Sequence, residues 1–425
     1  MTGYPNPSII RIVTDVRICT EINLKVRLPM ATFFLMVIYM AFIGLGLPDS
    51  VLGASWPVLH QSLNVPLESA GILSMMTTGG TILSSFMSGR VTRRFGTGRV
   101  TLVSVFMTAV ALLGFSMAPS FYWLMALTLP MGLGAGSVDA ALNGYVALHY
   151  EARHMSWLHS FWGVGATMGP VIMSLFLARE SGWRRGYLII SMIQMGLVVL
   201  LFTTLPLWDR FGKRKTGTSH ESEGEIRHNT QGIYRIPGVR YAILSFFAYC
   251  AVEMTTGLWG SSYLVNEGGF TPESAARYIS LYYGGITAGR FLTGFITLKF
   301  SFRSIIRMGI GSILSGILMI LSSMPALIFL GFLFIGLGCA PIFPGMIHET
   351  PERFGKENAQ AIIGIQMAFA YMGSTIMPAI FGLLAGRGYL MLFTPYLLLL
   401  LLVLLLATER INAMMKRRRH KPRAA

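Results

Sequence analysis

The chain has 425 residues, of which 53% are hydrophobic and only 12% are charged, and its mean hydropathy is +0.59. Soluble domains carry about 25% charged residues, so this composition excludes a soluble enzyme and indicates an integral membrane protein. The formal net charge of +16 does not indicate nucleic-acid binding, because the basic residues are concentrated in short loops between apolar runs.

Twelve apolar runs follow one another, each long enough to cross a bilayer as a helix of about 20 residues. The predicted crossings are 31–57, 69–89, 100–118, 121–148, 157–178, 186–208, 239–265, 272–298, 304–323, 325–348, 358–385 and 389–408. We predict an all-α membrane protein with five parts: an arm at 1–30, a six-helix bundle at 31–208, a linker at 209–238, a second six-helix bundle at 239–408 and a basic tail at 409–425.

The basic residues are distributed unequally between the two sides of these crossings. If both ends of the chain lie on one side, that side carries 28 of the 34 Lys and Arg residues. The opposite loops hold five, and Arg290 lies within or at the end of helix 8. By the positive-inside rule, both termini are predicted to be cytoplasmic, in a plasma (inner) membrane protein.

Fragments of the first half recur in the second half in the same order. The repeated fragments are LGASW at 52–56 with WGSSY at 259–263, Gly89-Arg90 with Gly289-Arg290, GLGAG at 132–136 with GLGCA at 336–340, and Gly165 and Pro170 with Gly373 and Pro378. The spacing is 200 to 208 residues each time, which predicts a parallel internal duplication. Two such halves are typical of secondary transporters that rock about a central site.

The loop between helices 2 and 3 carries a recognisable pattern, GRVTRRFGTGR at Gly89–Arg99. Its Gly89, Arg94, Gly96 and Arg99 resemble the G-x-x-x-D-R-x-G-R-R loop of the major facilitator superfamily. The resemblance implies a gating role for this loop. Arg93 replaces the usual Asp, which in that family belongs to a charge relay, so we expect a different relay here. Alternatively, these arginines only set the orientation in the membrane.

Three acidic residues lie inside the predicted crossings and away from the helix ends: Asp49, Asp139 and Glu253. A charged residue costs about 2.5–3.5 kcal/mol at the centre of a membrane helix unless it is paired or faces water. We therefore predict that these residues couple transport to protons. The alternatives are a capping carboxylate at a kink for Asp49, which follows Pro48, and a hydrogen bond between helices for Asp139.

The acidic residues of helices 1 and 4 make the resemblance more specific, because they match one group within the superfamily. The residues Gly134, Gly136, Asp139 and Asn143 resemble the G-x-G-x-x-E-x-x-x-N pattern in helix 4 of the fucose permease group, the fucose/galactose/glucose:H+ symporters, with Asp in place of Glu. Asp49 matches the helix 1 acid of that group. The resemblance implies proton coupling by Asp139 and sugar handling or proton transfer by Asp49.

Aromatic, amide and imidazole side chains within the crossings are candidates for binding the solute, because sugars stack on rings and accept hydrogen bonds. The predicted substrate-binding residues are Asn143, His159, Trp162, Trp259, Tyr263, Tyr282 and Gln366. Each aromatic residue has an alternative role in packing or in an interfacial belt.

The sequence predicts a proton-coupled importer of a sugar or similar small polar solute. It would act as a monomer, with the solute, protons and lipid as its partners and without a cofactor, a metal or nucleic acid. A phosphate-binding Gly-rich loop and hydrolase motifs are absent from the sequence, which argues against an enzyme. The alternatives are a drug or metabolite efflux antiporter and, from another class, a non-transporting membrane receptor or scaffold.

Overall fold

The computed structural model describes residues 32–150, 152–179, 182–212, 235–297 and 299–420. These residues form twelve helices, α1 to α12: Thr32–Ser62, Ser69–Phe95, Thr97–Ser116, Phe121–His149, Ala152–Ser174, Gly182–Gly212, Val239–Asn266, Pro272–Ile296, Phe302–Ile320, Pro325–Phe354, Lys356–Gly386 and Phe393–His420. Short turns interrupt α1 at Ser50 and α10 after Cys339. The predicted arm at 1–30, residues 213–234 of the linker and residues 421–425 of the tail lie outside the described residues.

Nine of these twelve helices, within the described ranges, are long and apolar enough to cross a membrane by length and composition. The other three, α2, α5 and α8, are more polar. All three pack against helices of the other half of the chain: α2 against α11, and α5 against α8. A helix that is buried between two bundles does not need a fully apolar surface, which explains the lower hydropathy of these three.

The two halves repeat the same close helix contacts. A Cβ atom on Gly165 of α5 would lie 2.1 Å from the carbonyl oxygen of Ile43 in α1, and one on Gly373 of α11 would lie 2.2 Å from that of Phe247 in α7. A second matching pair joins Gly132 to Thr77 and Gly336 to Tyr282. The chain therefore forms two pseudo-symmetric six-helix bundles, as the duplication predicts, and small residues let their backbones approach.

The bundles meet on one side of the membrane in particular. We call the side where the described chain begins and ends the terminal side, and the other the opposite side. Towards the opposite side, Ser261 donates a hydrogen bond to the carbonyl of Ala54 at 3.4 Å, and Ser280 donates one to that of Thr167 at 3.0 Å. These contacts join α7 to α1 and α8 to α5, so the halves are in contact there.

On the terminal side, the C-terminal bundle carries a buried group of charged and polar residues, the charged cluster. Glu349 of α10 is 3% exposed and pairs with Arg303 of α9 at 3.3 Å and with Arg353 one helical turn along. Arg353 also donates a hydrogen bond to Asn412 of α12 at 3.0 Å. The cluster therefore connects the terminal-side ends of α9, α10 and α12.

The N-terminal bundle places aromatic residues at the equivalent positions. Tyr145, His149 and Trp208 lie 204 positions before the glutamate, the second arginine and the asparagine of the charged cluster. The rings of Tyr145 and His149 stack at 4.1 Å, and Tyr145 meets Trp208 edge-on at 5.4 Å. We call these three residues the aromatic cluster. The duplicated backbone therefore holds its terminal-side ends by different chemistry in the two halves.

Helix α12 continues to His420 and so extends into the predicted tail. Its extension has specific partners, because Arg307 of α9 binds Glu409 through two hydrogen bonds of 2.6 and 2.7 Å. The apolar run ends near 408, but these polar contacts favour continuation of the helix beyond it. The helix is therefore longer than the crossing predicted at 389–408.

Candidate functional site

The position of Asp49 follows from a proline in α1. Pro48 has no backbone N–H, so the carbonyl of Gly44 loses the donor that a regular helix would supply. The side chain of Gln194 in α6 replaces it, donating to the Gly44 carbonyl at 2.6 Å, and Thr108 of α3 donates in turn to Gln194 at 2.6 Å. A fixed polar contact thus supports α1 directly before the turn that presents Asp49.

The carboxylate of Asp49 lies between helices of both bundles. Its Oδ2 accepts a hydrogen bond of 2.8 Å from the indole N–H of Trp162 in α5, and it interacts electrostatically with Asp139 of α4 and Tyr283 of α8. The Asp49 side chain is exposed and not packed inside one bundle.

Asp139 forms the predicted pair with Asn143. The amide Nδ2 of Asn143 donates to Oδ1 of Asp139 at 2.9 Å, which follows from their spacing of one helical turn. Both side chains are half-buried. Tyr371 of α11, in the other bundle, interacts electrostatically with Asp139.

Glu253 of α7 is linked to the N-terminal bundle by Arg290 of α8. Nη2 of Arg290 lies 3.9 Å from Oε1 of Glu253, its Nη1 donates to the carbonyl of His159 at 3.3 Å, and Cζ lies 5.0 Å from the centre of the Trp162 ring. Tyr282 donates to the backbone carbonyl of Glu253 at 2.9 Å. Arg290 is the connecting residue that the sequence analysis did not select.

These contacts define a central cluster that consists of Asp49, Trp162, Arg290, Glu253 and His159. It draws residues from α1, α5, α7 and α8 and crosses the boundary between the bundles. The signal for the missed arginine was present, because a charged residue in an apolar run requires a partner. Its position near a predicted helix end favoured a role in orientation over a role in the site.

Five predicted binding residues lie outside this cluster: Asn143 is bonded to Asp139 and Tyr282 to the backbone of Glu253, and the other three have different partners. Each contacts its own bundle: Trp259 donates to the carbonyl of Pro378 at 2.8 Å, the ring of Tyr263 stacks on Phe393 at 4.9 Å, and Gln366 accepts a hydrogen bond of 3.1 Å from Thr350. Trp259 is fully buried, and Gln366 is 2% exposed. These contacts are of the kind that stabilise the C-terminal bundle.

The loop residues Gly89, Arg94, Gly96 and Arg99 lie on the terminal side, at the junction of α2 and α3. Gly96 ends one helix and begins the next with a φ of +82°, a conformation that favours glycine. The guanidinium of Arg94 lies over the ring of Phe95 at 5.5 Å. The sharp reversal therefore depends on Gly96, and the arginines lie apart from the central cluster.

Among the described residues, no group of three or more His, Cys, Asp or Glu side chains is placed to hold a metal ion.

The sequence profile of the Major Facilitator Superfamily matches residues 33–315 and 241–424, which together cover most of the chain. The chain belongs to the Major Facilitator Superfamily. This protein is therefore a multi-pass membrane transporter and not an enzyme.

Relatives of this transporter extend over most of its length. It is 23% identical to Bypass of stop codon protein 6 of Saccharomyces cerevisiae, over 81% of this chain and 75% of that protein. It is 21% identical to the glucose/mannose transporter GlcP of Bacillus subtilis, over 72% and 77%, and 23% identical to the cis,cis-muconate transport protein of Acinetobacter baylyi, over 78% and 82%.

The fold is shared with a solved transporter, a bacterial homologue of the human lysosomal transporter Spinster. That structure, inward-facing and occupied, superimposes with a TM-score of 0.70 at 12% sequence identity, covering 92% of this chain and 97% of that one. The superfamily predicted from the loop motif is thus confirmed. The resemblance to the fucose permease group stays a prediction.

Proposed function

We propose that this transporter imports a sugar or similar small polar solute together with protons, by alternating access. In this proposal it acts as a monomer in the plasma (inner) membrane, with the terminal side in the cytoplasm. The observation that carries the proposal is the central cluster, together with Asp139, which interacts electrostatically with Asp49: ionisable side chains of both bundles lie where the halves meet. A buried carboxylate is stable only when it is paired, hydrated or protonated.

The proposed cycle begins with protonation of Asp139, and of Asp49, from the outside. The solute then binds between the bundles, with Asn143, His159 and Trp162 as its first contacts. Neutral carboxyl groups lower the free-energy cost of closing the bundles around a dry interface. The bundles then tilt, and the solute and the protons leave on the terminal side.

The identity of the solute as a sugar is supported by a curated relative, the glucose/mannose transporter of Bacillus subtilis. Glu253 belongs to the same proposal as a coupling acid of the C-terminal bundle. Its contact with Arg290 would make its charge sensitive to movement between the bundles, since the arginine also touches α5.

The test is substrate accumulation by the purified protein in proteoliposomes, with and without an inward proton gradient. The variant Asp139→Asn keeps the hydrogen-bonding shape but cannot take up a proton. We expect it to lose gradient-driven accumulation and to retain exchange of labelled for unlabelled solute. Glu267→Asn is a matched control, because Glu267 is exposed beyond the end of α7.

Accumulation against a gradient by Asp139→Asn would contradict the coupling role. Extrusion of lipophilic cations, without uptake of sugars, would instead favour the efflux antiporter. The two results are distinguished by the direction of movement of the labelled compound in the same vesicles.

A further inference from the structure

Arg290 occupies a position in which an arginine needs a specific reason. Its side chain is only 18% exposed, and its guanidinium touches α7 and α5, one helix from each bundle. A guanidinium is permanently charged, and it is costly inside a membrane unless it has anionic partners or faces water.

The pairing of Arg290 with Glu253 is loose compared with another pair in the same bundle. Arg307 donates two hydrogen bonds of 2.6 and 2.7 Å to the carboxylate of Glu409. Between Arg290 and Glu253 the distance from Nη2 to Oε1 is 3.9 Å, beyond hydrogen-bond distance. A guanidinium presents five N–H donors in a planar fork that fits a carboxylate through two parallel bonds. The Arg290 fork is thus not filled by Glu253.

The ionisable groups that interact with this pair lie on α7, α8, α10 and α5. Glu253 interacts with Tyr249 and Cys250 of its own helix, Tyr282 and Tyr283 of α8, and Cys339 of α10. Arg290 faces His159 of α5, and the Trp162 ring beside it is bonded to Asp49. With Asp49 and Glu253 both ionised, the cluster has more negative than positive charge and repels an anion. Protonation of Glu253 removes this excess negative charge and leaves the guanidinium without its nearest carboxylate.

We infer that the solute is a small organic carboxylate, and that its carboxylate takes the place of Glu253 at Arg290 when Glu253 is protonated. This inference rests on the proposed function and narrows its solute class. The proton on Glu253 and the carboxylate of the solute then enter together, so these two charges cancel in the closed state. Proton coupling follows directly, because an ionised Glu253 competes with the solute for the same fork.

The experiment uses matched pairs of solutes that differ in one carboxylate: glucuronate with glucose, and nicotinate with nicotinamide. Uptake into proteoliposomes is measured at an acidic outside pH, and binding is measured as the shift in melting temperature with solute concentration. We expect uptake of a carboxylate member and not of its neutral partner. Arg290→Gln should weaken carboxylate binding by about tenfold or more, since a hydrogen-bonded charge pair is lost.

Two further variants separate recognition from a structural role. Arg277→Gln removes the same charge from an exposed position of the same helix and should leave binding unchanged. Glu253→Gln should bind the carboxylate at neutral pH as well as the natural protein does at acidic pH, with a flattened pH dependence. A residue that only supports the fold would instead weaken binding equally at every pH. Arg290→Lys should keep part of the affinity, because the charge remains without the fork.

The possible results test the carboxylate inference separately from proton-coupled import, the proposed function on which it rests. Uptake of glucose or nicotinamide, with no response to their acids, would overturn the carboxylate inference and leave proton-coupled import standing. Carboxylate uptake that is unchanged in Arg290→Gln would also overturn it. If no member of either pair is transported, the proposed function fails together with the inference.

Discussion

At the scale of single residues, the hydrogen bond from Trp162 to Asp49 can be tested while an aromatic ring is kept in place. Trp162→Phe keeps a six-membered aromatic face beside Arg290 and removes the indole N–H together with the five-membered ring that carries it. A hydrogen bond to a charged group contributes about 1.5–3 kcal/mol, so we expect solute affinity to fall about tenfold or more while the melting temperature changes little. Trp157→Phe, at an exposed position of the same helix, is the control. An equal loss in both variants would contradict a specific role for the bond.

The residues of the site were predictable where local spacing sets the contact. Asn143 lies one turn after Asp139, and the two are bonded as the spacing requires. Gln366 shows the limit of such reasoning. A buried amide must have a hydrogen-bond partner, but the sequence does not show which bundle provides that partner. Its partner is Thr350 within the same bundle. Arg290 was missed for a related reason, since its contacts with α5 and α7 depend on how distant segments pack.

At the scale of helices, the two ion pairs of the C-terminal bundle should differ greatly in their contribution to stability. Glu349→Gln leaves Arg353 buried without a full counter-charge, which costs about 3–5 kcal/mol. Glu409→Gln breaks a pair whose side chains are 39% and 56% exposed, and such pairs contribute about 1 kcal/mol or less. Thermal unfolding in detergent measures both variants. Similar losses of stability would show that burial does not set the difference.

The glycine contacts between helices give a second prediction. Gly165→Ala would place a methyl group 2.1 Å from the carbonyl oxygen of Ile43, so α1 and α5 must separate. Overpacking of this kind costs about 1–3 kcal/mol, and we expect a lower melting temperature and lower transport. Gly196→Ala, in α6, meets no atom within 4 Å and serves as the control. A neutral Gly165→Ala would mean that the helices are not closely packed there.

The helices themselves were largely predictable, and their ends were not. Apolar runs locate crossings because the bilayer core requires internally bonded, apolar segments. A helix continues beyond the bilayer when polar partners hold it, as Arg307 holds Glu409 in the extension of α12. Hydropathy does not register such partners. Likewise, repeated fragments predict the duplication, but not that the aromatic cluster replaces a charged one in the first half.

At the scale of the whole molecule, contact between the bundles on the opposite side depends on close backbone approach. A Cβ on Gly53 of α1 would lie 2.2 Å from the carbonyl oxygen of Gly257 in α7. Gly53→Ala should therefore favour the state in which the halves part on that side. Thiol labelling of Ser261→Cys, at a fully buried position, should become faster, with Gly79→Ala as the control. An unchanged labelling rate would contradict this role of Gly53.

The hydrogen bond from Gln194 to Gly44 and the turn at Ser50 divide α1 into two sections. The section before Pro48 is anchored to α3 and α6, whereas the section after Ser50, Val51–Ser62, is 12 residues long, or about 18 Å. This section can tilt as a rigid body about Asp49. A tilt of about 15° would swing the far tip by about 5 Å for a helix of this rise, while the carboxylate at Asp49 hardly shifts. The Asp49 carboxylate can thus stay in the same position while the section after it tilts.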